Sequence, residues 1–134
     1  MAVSVFLSGA IENCGSYAYG WRGVATSMLE GSGYKVFNPL DIKVTEDSKP
    51  HEVVDKNLFL QKRSDILLVE YMIPDRCYIG TDFEMTYAKL HSQPVIVFCD
   101  TLNKDRIYLK YLATKVASSL EEAVEYIRSN YPTN

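Results

Sequence analysis

The residues best suited to chemistry lie between positions 64 and 90, in SDILLVEYMIPDRCYIGTDFEMTYAKL. An apolar strand at 66–69 is followed by a loop at 74–78 and by a helix that we expect to begin at Gly80. A strand that delivers a loop to a helix N-terminus is the usual ligand-binding geometry of an open α/β sheet. The helix dipole favours negative charge in the first turn. We therefore expect Glu84 to be ionised at neutral pH and to be a candidate nucleophile or base.

A purely structural role for Glu84 is also consistent with the spacing. The sequence TDFE at 81–84 matches the capping box, in which the glutamate side chain reaches back to the N–H of the cap residue. The same pattern occurs as SLEE at 119–122, where no chemistry is indicated. Spacing alone therefore leaves both interpretations of Glu84 open.

Size and composition limit the class of protein. The chain has 134 residues, of which 47% are hydrophobic, and we expect one domain spanning 1–134 with a packed core. A net charge of −3 does not indicate a nucleic-acid or membrane surface. The three cysteines lack the spacing of metal ligands, and no motif indicates a metal or another cofactor. Without a signal peptide or an apolar run of membrane-spanning length, we expect a soluble cytoplasmic protein.

The elements that must position Glu84 alternate between strands and helices. Apolar and β-branched runs predict strands at 2–8, 34–37, 66–69, 94–99 and 115–117. Helical spacing predicts helices at 19–30, 50–63, 80–90 and 119–127, a short helix or turn at 107–112, and a surface loop at 40–49. This alternation predicts an α/β fold with a doubly wound, five-stranded parallel sheet of order 2-1-3-4-5.

In a sheet of this order, ligands bind outside the carboxyl ends of strands one and three. That rule gathers Gly9, the loop at 10–20, the loop at 74–78 and Glu84 around one cleft. Gly9 directly follows the first strand, where a missing side chain would let a ligand approach the backbone. Trp21 falls on a helical apolar stripe and is expected in the core. Asn57 falls on or beside an apolar helix face, where it is either a structural amide bonded to a loop carbonyl or a functional group.

Several motifs resemble those of the nucleoside 2-deoxyribosyltransferase family. They are FLSGAI at 6–11, SDILL at 64–68, IPD at 73–75, GTDFE at 80–84, YA at 87–88 and QPVIVF at 93–98. The match runs from about residue 3 to 100, and its specificity lies in the order and spacing of the motifs. The resemblance implies a flavodoxin-like fold and a homo-oligomer with shared active sites. It also implies nucleoside or nucleobase substrates and cleavage or transfer of the N-glycosidic bond of 2′-deoxynucleosides.

In that family a glutamate attacks the anomeric carbon to form a covalent glycosyl intermediate, and Glu84 matches this nucleophile. Asn57 stands where the family has a helper aspartate. An amide cannot act as an acid, but it can still hold a hydroxyl group. Tyr78 stands where some members have a sugar-binding aspartate, and Phe6 replaces an aromatic hydroxyl. The resemblance therefore places Asn57 beside Glu84 as a site residue, and it groups Phe6, Gly9, Ala10, Tyr78 and Gly80 as substrate-binding positions.

Two further interpretations stay open. A sister branch of the family cleaves deoxynucleoside 5′-monophosphates and binds the phosphate with a serine and an arginine of the first loop. Those positions are Ala10 and Glu12 here, and Glu12 would repel a phosphate unless Arg22 or a partner subunit compensates. The missing helper acid also suits a nucleoside- or nucleotide-binding module with little catalysis.

Overall fold

The computed structural model describes residues 2–42, 44–45 and 47–134, which form one sheet with helices on both faces. The strands are β1 (Ser4–Ser8), β2 (Lys35–Phe37), β3 (Ile66–Tyr71), β4 (Val95–Cys99) and β5 (Lys115–Ala117). The helices are α1 (Ser16–Glu30), α2 (Pro50–Lys62), α3 (Ile79–Leu90), α4 (Ile107–Leu112) and α5 (Leu120–Asn130). Short 3₁₀ helices cover Pro39–Asp41 and Asn103–Asp105.

The strand order is β2-β1-β3-β4-β5, and every neighbouring pair is parallel. This confirms the predicted flavodoxin-like topology. The β1–β3 register pairs Val5 with Ile66 and Ser8 with Val69, so the carboxyl ends of the two strands lie side by side. The loops that follow β1 and β3 therefore leave the sheet at the same edge, where ligands bind in folds of this kind.

The sheet is buried on both faces, which explains why β1, β3 and β4 are continuous apolar runs rather than alternating ones. On one face α1 and α5 cover the sheet, and on the other α3 and α4 do so. Trp21 lies in the first of these layers and makes an edge-to-face contact with Phe98 at a centroid distance of 5.4 Å. Its predicted place in the core is confirmed.

Some element boundaries differ from the prediction. Strand β3 continues through Glu70 and Tyr71, because the Glu70 carboxylate is buried and hydrogen-bonded, so its charge does not end the strand. Helix α1 begins at Ser16, three residues before the predicted start. Ser119 caps α5 as predicted, since its hydroxyl accepts from the Glu122 N–H at 3.1 Å. Of the predicted loop at 40–49, positions 43 and 46 lie outside the described residues.

The cysteines are free, with Cys99 buried, Cys14 half-buried and Cys77 exposed. The burial of Cys99 at the end of β4 agrees with its place in an apolar strand. Across residues 2–42, 44–45 and 47–134, no cluster of three or more His, Cys, Asp or Glu side chains is placed to bind a metal. In the same part of the chain, no helix has the length and apolar character needed to span a membrane.

Candidate active site

A cavity of about 460 Å³ opens at the carboxyl ends of β1 and β3. The cavity is lined by the loop between β1 and α1 (the first loop), the 3₁₀ helix Pro39–Asp41 with the residues after it, α2, the β3–α3 loop and the start of α3. The cavity brings together six of the seven predicted site residues: Gly9, Ala10, Asn57, Tyr78, Gly80 and Glu84. The other lining residues are Ile11, Glu12, Tyr19, Pro39, Leu40, Ile42, Val44, Val53, Val54, Arg76, Cys77, Ile79 and Thr81.

Glu84 projects from α3 toward the sheet. Helix α3 begins at Ile79, so Glu84 lies in its second turn and not in the first. Tyr78 is the N-cap residue, and no side chain caps this helix. The Ser8 hydroxyl at the end of β1 donates to Glu84 Oε1 at 2.5 Å. Of the two interpretations of Glu84 that the spacing left open, the capping box at 81–84 is excluded, because the carboxyl group is bound by the sheet and not by its own helix terminus.

Burial is the main influence on the ionisation of Glu84, and it raises the pKa to about 7. The Ser8 hydrogen bond and the Arg22 charge lower the pKa, but by less than burial raises it. The helix dipole acts mainly within the first turn, and Glu84 lies beyond it. The expectation of full ionisation at neutral pH is therefore wrong, and Glu84 changes protonation state near neutrality.

Asn57 faces the same cavity from α2, together with Val53 and Val54. Its Oδ1 atom is buried and has no hydrogen-bond partner among the described residues. One turn further along α2, the Gln61 side chain donates to the backbone carbonyl of Glu84 at 2.9 Å. This hydrogen bond ties α2, the helix that carries Asn57, to the backbone of Glu84, and it leaves the Asn57 amide oxygen unsatisfied.

The packing of the protein itself requires a glycine at position 9. A Cβ atom at Gly9 would lie 2.8 Å from Glu70 Oε1 and 2.9 Å from Trp21 Cζ2. The space beside the Gly9 Cα is therefore filled by Glu70 and Trp21. Gly9 also lines the cavity, so the expected approach of a ligand to its backbone stays a prediction.

We expect Gly9→Ala to destabilise the fold by about 1–3 kcal/mol, the usual cost of an added methyl group in a filled site. The matched control is Gly23→Ala on α1, where nothing lies within 4 Å of the added Cβ. Alanine in that helix interior should stabilise by about 0.5–1 kcal/mol. Urea unfolding of both variants measures the difference. Equal stability of the two would contradict the close packing of Glu70 and Trp21 on Gly9.

Two predicted substrate-binding residues have other roles. Phe6 is completely buried in the core beneath the site and does not line the cavity. The Tyr78 hydroxyl donates to Glu70 Oε2 at 2.6 Å and accepts from the Ile73 N–H at 3.0 Å. The proton and one acceptor position of the hydroxyl are therefore used within the protein. Tyr78 also lines the cavity, and its role toward the sugar stays a prediction.

Glu70 was missed by the sequence reasoning. Its carboxylate is fully buried directly below the first loop, and it accepts four hydrogen bonds. The donors are the Ala10 N–H at 2.9 Å, the Tyr17 hydroxyl at 3.0 Å, the Met72 N–H at 2.8 Å and the Tyr78 hydroxyl at 2.6 Å. The available signal was a single charged residue at the end of a strand that is otherwise apolar.

Arg22 is also completely buried, on α1. Its guanidinium donates to the carbonyls of Gly9 at 3.1 Å, Ala10 at 3.3 Å and Ala18 at 3.0 Å. Arg22 has no exposed surface and does not line the cavity, so a phosphate bound there would not contact it. The suggestion that it replaces the missing phosphate-binding residues is therefore wrong. Arg76 does line the cavity, and it donates to the backbone carbonyl of Glu12.

No protein-family model matches the chain, and a comparison with curated proteins finds no match. Solved structures do match. A 2-desoxiribosyltransferase from Leishmania mexicana superposes with a TM-score of 0.79 at 16% identity, covering 96% of this chain and 99% of that one. A 2-deoxyribosyltransferase from Bacillus psychrosaccharolyticus superposes with a TM-score of 0.75 at 19% identity, covering 98% of each chain. The chain shares their fold. A CMP N-glycosidase from Clostridium botulinum also shares it, with a TM-score of 0.66 at 14% identity and coverage of 94% and 98%.

Proposed function

We propose that this protein cleaves or transfers the N-glycosidic bond of 2′-deoxynucleosides through a covalent intermediate on Glu84. The observation that carries the proposal is the position of Glu84, which is held by Ser8 in a cavity of about 460 Å³. That volume lies in the range of small-molecule sites. The shared fold of two 2-deoxyribosyltransferases supports the same substrate class.

The reaction has two displacements. In the first, the ionised Glu84 carboxylate attacks the anomeric carbon, the C–N bond breaks, and its electron pair leaves with the nucleobase, which is protonated by water. In the second, a new base or water attacks the anomeric carbon and the Glu84 carboxylate leaves. Ser8 binds Oε1, so Oε2 remains for the attack.

Other cavity residues orient the sugar in this proposal. Asn57 Oδ1 accepts a hydrogen bond from a sugar hydroxyl, which would satisfy a buried oxygen that otherwise has no partner among the described residues. Ala10 and Gly80 contribute small surfaces at the cavity wall. Nothing lies within 4 Å of a Cβ atom built on Gly80, so this side of the cavity is open. The nucleobase is then placed toward the apolar side chains of α2 and the 3₁₀ segment.

The rate should rise with pH as Glu84 ionises. Because its pKa is raised to about 7, the nucleophilic form is scarce at pH 5.5 and dominant at pH 8. We expect kcat/KM for a deoxynucleoside to rise about tenfold per pH unit below this pKa and to level off above it. Base release followed by chromatography across this range measures the profile. A profile already level above about pH 5, near the ordinary pKa of glutamate, would contradict a nucleophile with raised pKa.

A deoxynucleoside 5′-monophosphate N-glycosidase is the second candidate, because Arg76 provides a cation at the cavity and a CMP N-glycosidase shares the fold. Glu12 and Ala10 argue against it, since Glu12 places a negative charge in the same lining.

We expect kcat/KM for nucleosides to exceed that for their 5′-monophosphates by roughly tenfold, equivalent to 1.4 kcal/mol. A preference for monophosphates that Arg76→Ala removes would establish the second candidate instead. Binding of either compound without base release would identify a binding module.

We also infer a homo-oligomer, as the family resemblance implies. Helices α3 and α4 present large apolar side chains to solvent, with Ile79 77% exposed and Ile107 and Tyr108 each 81% exposed. Exposed apolar side chains of this size, here on two helices that contact each other, are typical of an interface with another protein chain. Ile79 also lines the candidate cavity, so a second copy bound at Ile79 would lie at its rim.

A further inference from the structure

The Ser8 hydroxyl is directed at helix α3 by the pleat of β1. Alternate side chains of a strand point to the same face of the sheet, so Ser8 points to the face on which Phe6 lies. Phe6 packs in the core layer that contains Met85 of α3. Ser8 is fully buried at the carboxyl end of β1, where the strand pairs with β3 at Val69. The donor that binds Glu84 is therefore carried by a paired strand and not by a loop.

Helix α3 brings Glu84 to this donor. Glu84 lies on the same helix face as Thr81 and Ala88, both of which are buried. The distance from Ser8 Oγ to Glu84 Oε1 is 2.5 Å, which is in the range of hydrogen bonds from a hydroxyl to a charged oxygen. One carboxylate oxygen is thus bound by the protein, and the other remains for chemistry.

The two proposed displacements change the charge on Glu84 in opposite directions. In the first, the carboxylate loses its negative charge as Oε2 bonds to the anomeric carbon. In the second, this C–O bond breaks and its electron pair returns to the carboxylate, while the incoming base or water supplies the new electron pair and loses its proton to solvent. A hydrogen bond to a charged oxygen is about twice as strong as one to a neutral oxygen. The Ser8 bond to Oε1 therefore weakens during attack and strengthens during release of the sugar.

We propose that Ser8 is a positioning residue that binds Oε1, leaves Oε2 for the attack, and assists departure of the Glu84 carboxylate from the sugar in the second displacement. The inference rests on the proposed function of Glu84 as nucleophile. Ser8 acts through Oε1 of Glu84 and makes no contact with the sugar in this scheme. Its contribution should therefore appear in the breakdown of the glycosyl intermediate and not in the binding of the nucleoside.

The same hydrogen bond affects the ionisation of Glu84. Burial raises the pKa of Glu84 to about 7, and of the two opposing effects the Ser8 bond is larger than the Arg22 charge. Removal of the Ser8 bond should therefore raise this pKa further, because the bond favours the ionised form. Helix α2 presents only neutral side chains to the cavity. The charged and titratable groups on the other surrounding elements are Glu12 and Cys14 in the first loop, Tyr19 and Arg22 on α1, Glu70 on β3, and Arg76, Cys77 and Tyr78 in the β3–α3 loop.

The first measurement is an NMR titration of the full chain carrying ¹³C-labelled glutamate, in which the Glu84 signal is identified by its loss in Glu84→Gln. In Ser8→Ala we expect the Glu84 midpoint to lie about one pH unit or more above that of the wild type, as for loss of a hydrogen bond to a charged group. Ser8→Cys has a weaker donor and should shift the midpoint in the same direction by less. The matched control is Ser4→Ala on the same strand, because Ser4 Oγ donates to Asp65 Oδ2 at 3.2 Å. Its Glu84 midpoint should equal that of the wild type.

The second measurement is the decay of the glycosyl adduct on Glu84 after the substrate is removed, followed by mass spectrometry of acid-quenched samples. This step starts from the ester, so its rate does not depend on the ionisation of Glu84. We expect decay to be about tenfold or more slower in Ser8→Ala, since one donor to the developing carboxylate charge is lost. Ser8→Cys should decay at an intermediate rate, and Ser4→Ala at the rate of the wild type.

The two measurements distinguish failure of this inference from failure of the proposed function. An unchanged Glu84 midpoint in folded Ser8→Ala, or an adduct that decays there as fast as in the wild type, would overturn the role of Ser8 alone. If Ser8→Ala does not fold, the same two results in Ser8→Cys would overturn it. Base release by the wild type without an adduct on Glu84 would reject the proposed function, and the role of Ser8 in the second displacement would be rejected with it.

Discussion

Replacement of Glu84 by glutamine should abolish base release from 2′-deoxynucleosides, with a loss of roughly 10⁴-fold or more, as when other catalytic nucleophiles are removed. The amide is a poor nucleophile and cannot form a stable glycosyl ester. Its oxygen can still accept the Ser8 hydrogen bond, so the fold should be kept.

Because burial raises the pKa of Glu84 to about 7, the ionised carboxylate opposes folding above that pH. The glutamine variant should therefore be at least as stable there as the wild type.

The matched control is Asp82→Asn on the same helix. Asp82 accepts a hydrogen bond from the Tyr71 hydroxyl at 2.7 Å and does not line the cavity that contains Glu84. The Asp82→Asn variant should therefore retain nearly full activity. Circular dichroism and thermal unfolding check that both variants are folded, and chromatography measures base release. If folded Glu84→Gln turned over like the wild type, Glu84 would be only a structural residue.

Replacement of Asn57 by aspartate should raise the rate of base release by about 10²–10⁴-fold, the usual contribution of a well-placed general acid. The new carboxyl would share a cavity with Glu84, and each negative charge raises the pKa of the other. The buried position of Asn57 Oδ1 favours the protonated form of the new acid as well. A protonated carboxyl at this position could donate its proton to the departing base.

The measurement is a pH–rate profile of wild type and Asn57→Asp on the same deoxynucleoside. Asn57→Ala is the matched control, because it removes the amide oxygen without adding an acid and should lower the rate. A gain confined to pH values at which the new carboxyl stays protonated would identify it as the proton donor. If folded Asn57→Asp showed no gain between about pH 5 and 8, Asn57 would not occupy the position of a general acid.

The fold could be predicted because the relevant signals are local. Uninterrupted apolar runs such as VIVFC in β4 are typical of strands covered on both faces, and the intervening segments have helical spacing. The order of these elements and the rule for ligand sites in open sheets were enough to bring Gly9 and Glu84 to one cavity, and the family resemblance added Asn57 to it.

The environment of each site residue could not be predicted, because it depends on contacts between distant parts of the chain. Ser8 and Glu84 are 76 positions apart, and no local pattern connects them. Helix α3 begins at Ile79, one residue before the expected start, and it has no side-chain cap, so the capping-box pattern in TDFE gave no information on the true partner of Glu84. The Tyr78 hydroxyl is committed to Glu70, and only the packed structure shows this.

The most direct test of the proposed mechanism is mass spectrometry of the protein after a rapid acid quench during turnover of a deoxynucleoside. A two-step displacement predicts a mass increase of one deoxyribosyl unit on the peptide that contains Glu84. The adduct should be absent in Glu84→Gln and should disappear from the wild type when the substrate is exhausted. Base release by the wild type with no adduct, or with the adduct on another residue, would contradict Glu84 as the nucleophile.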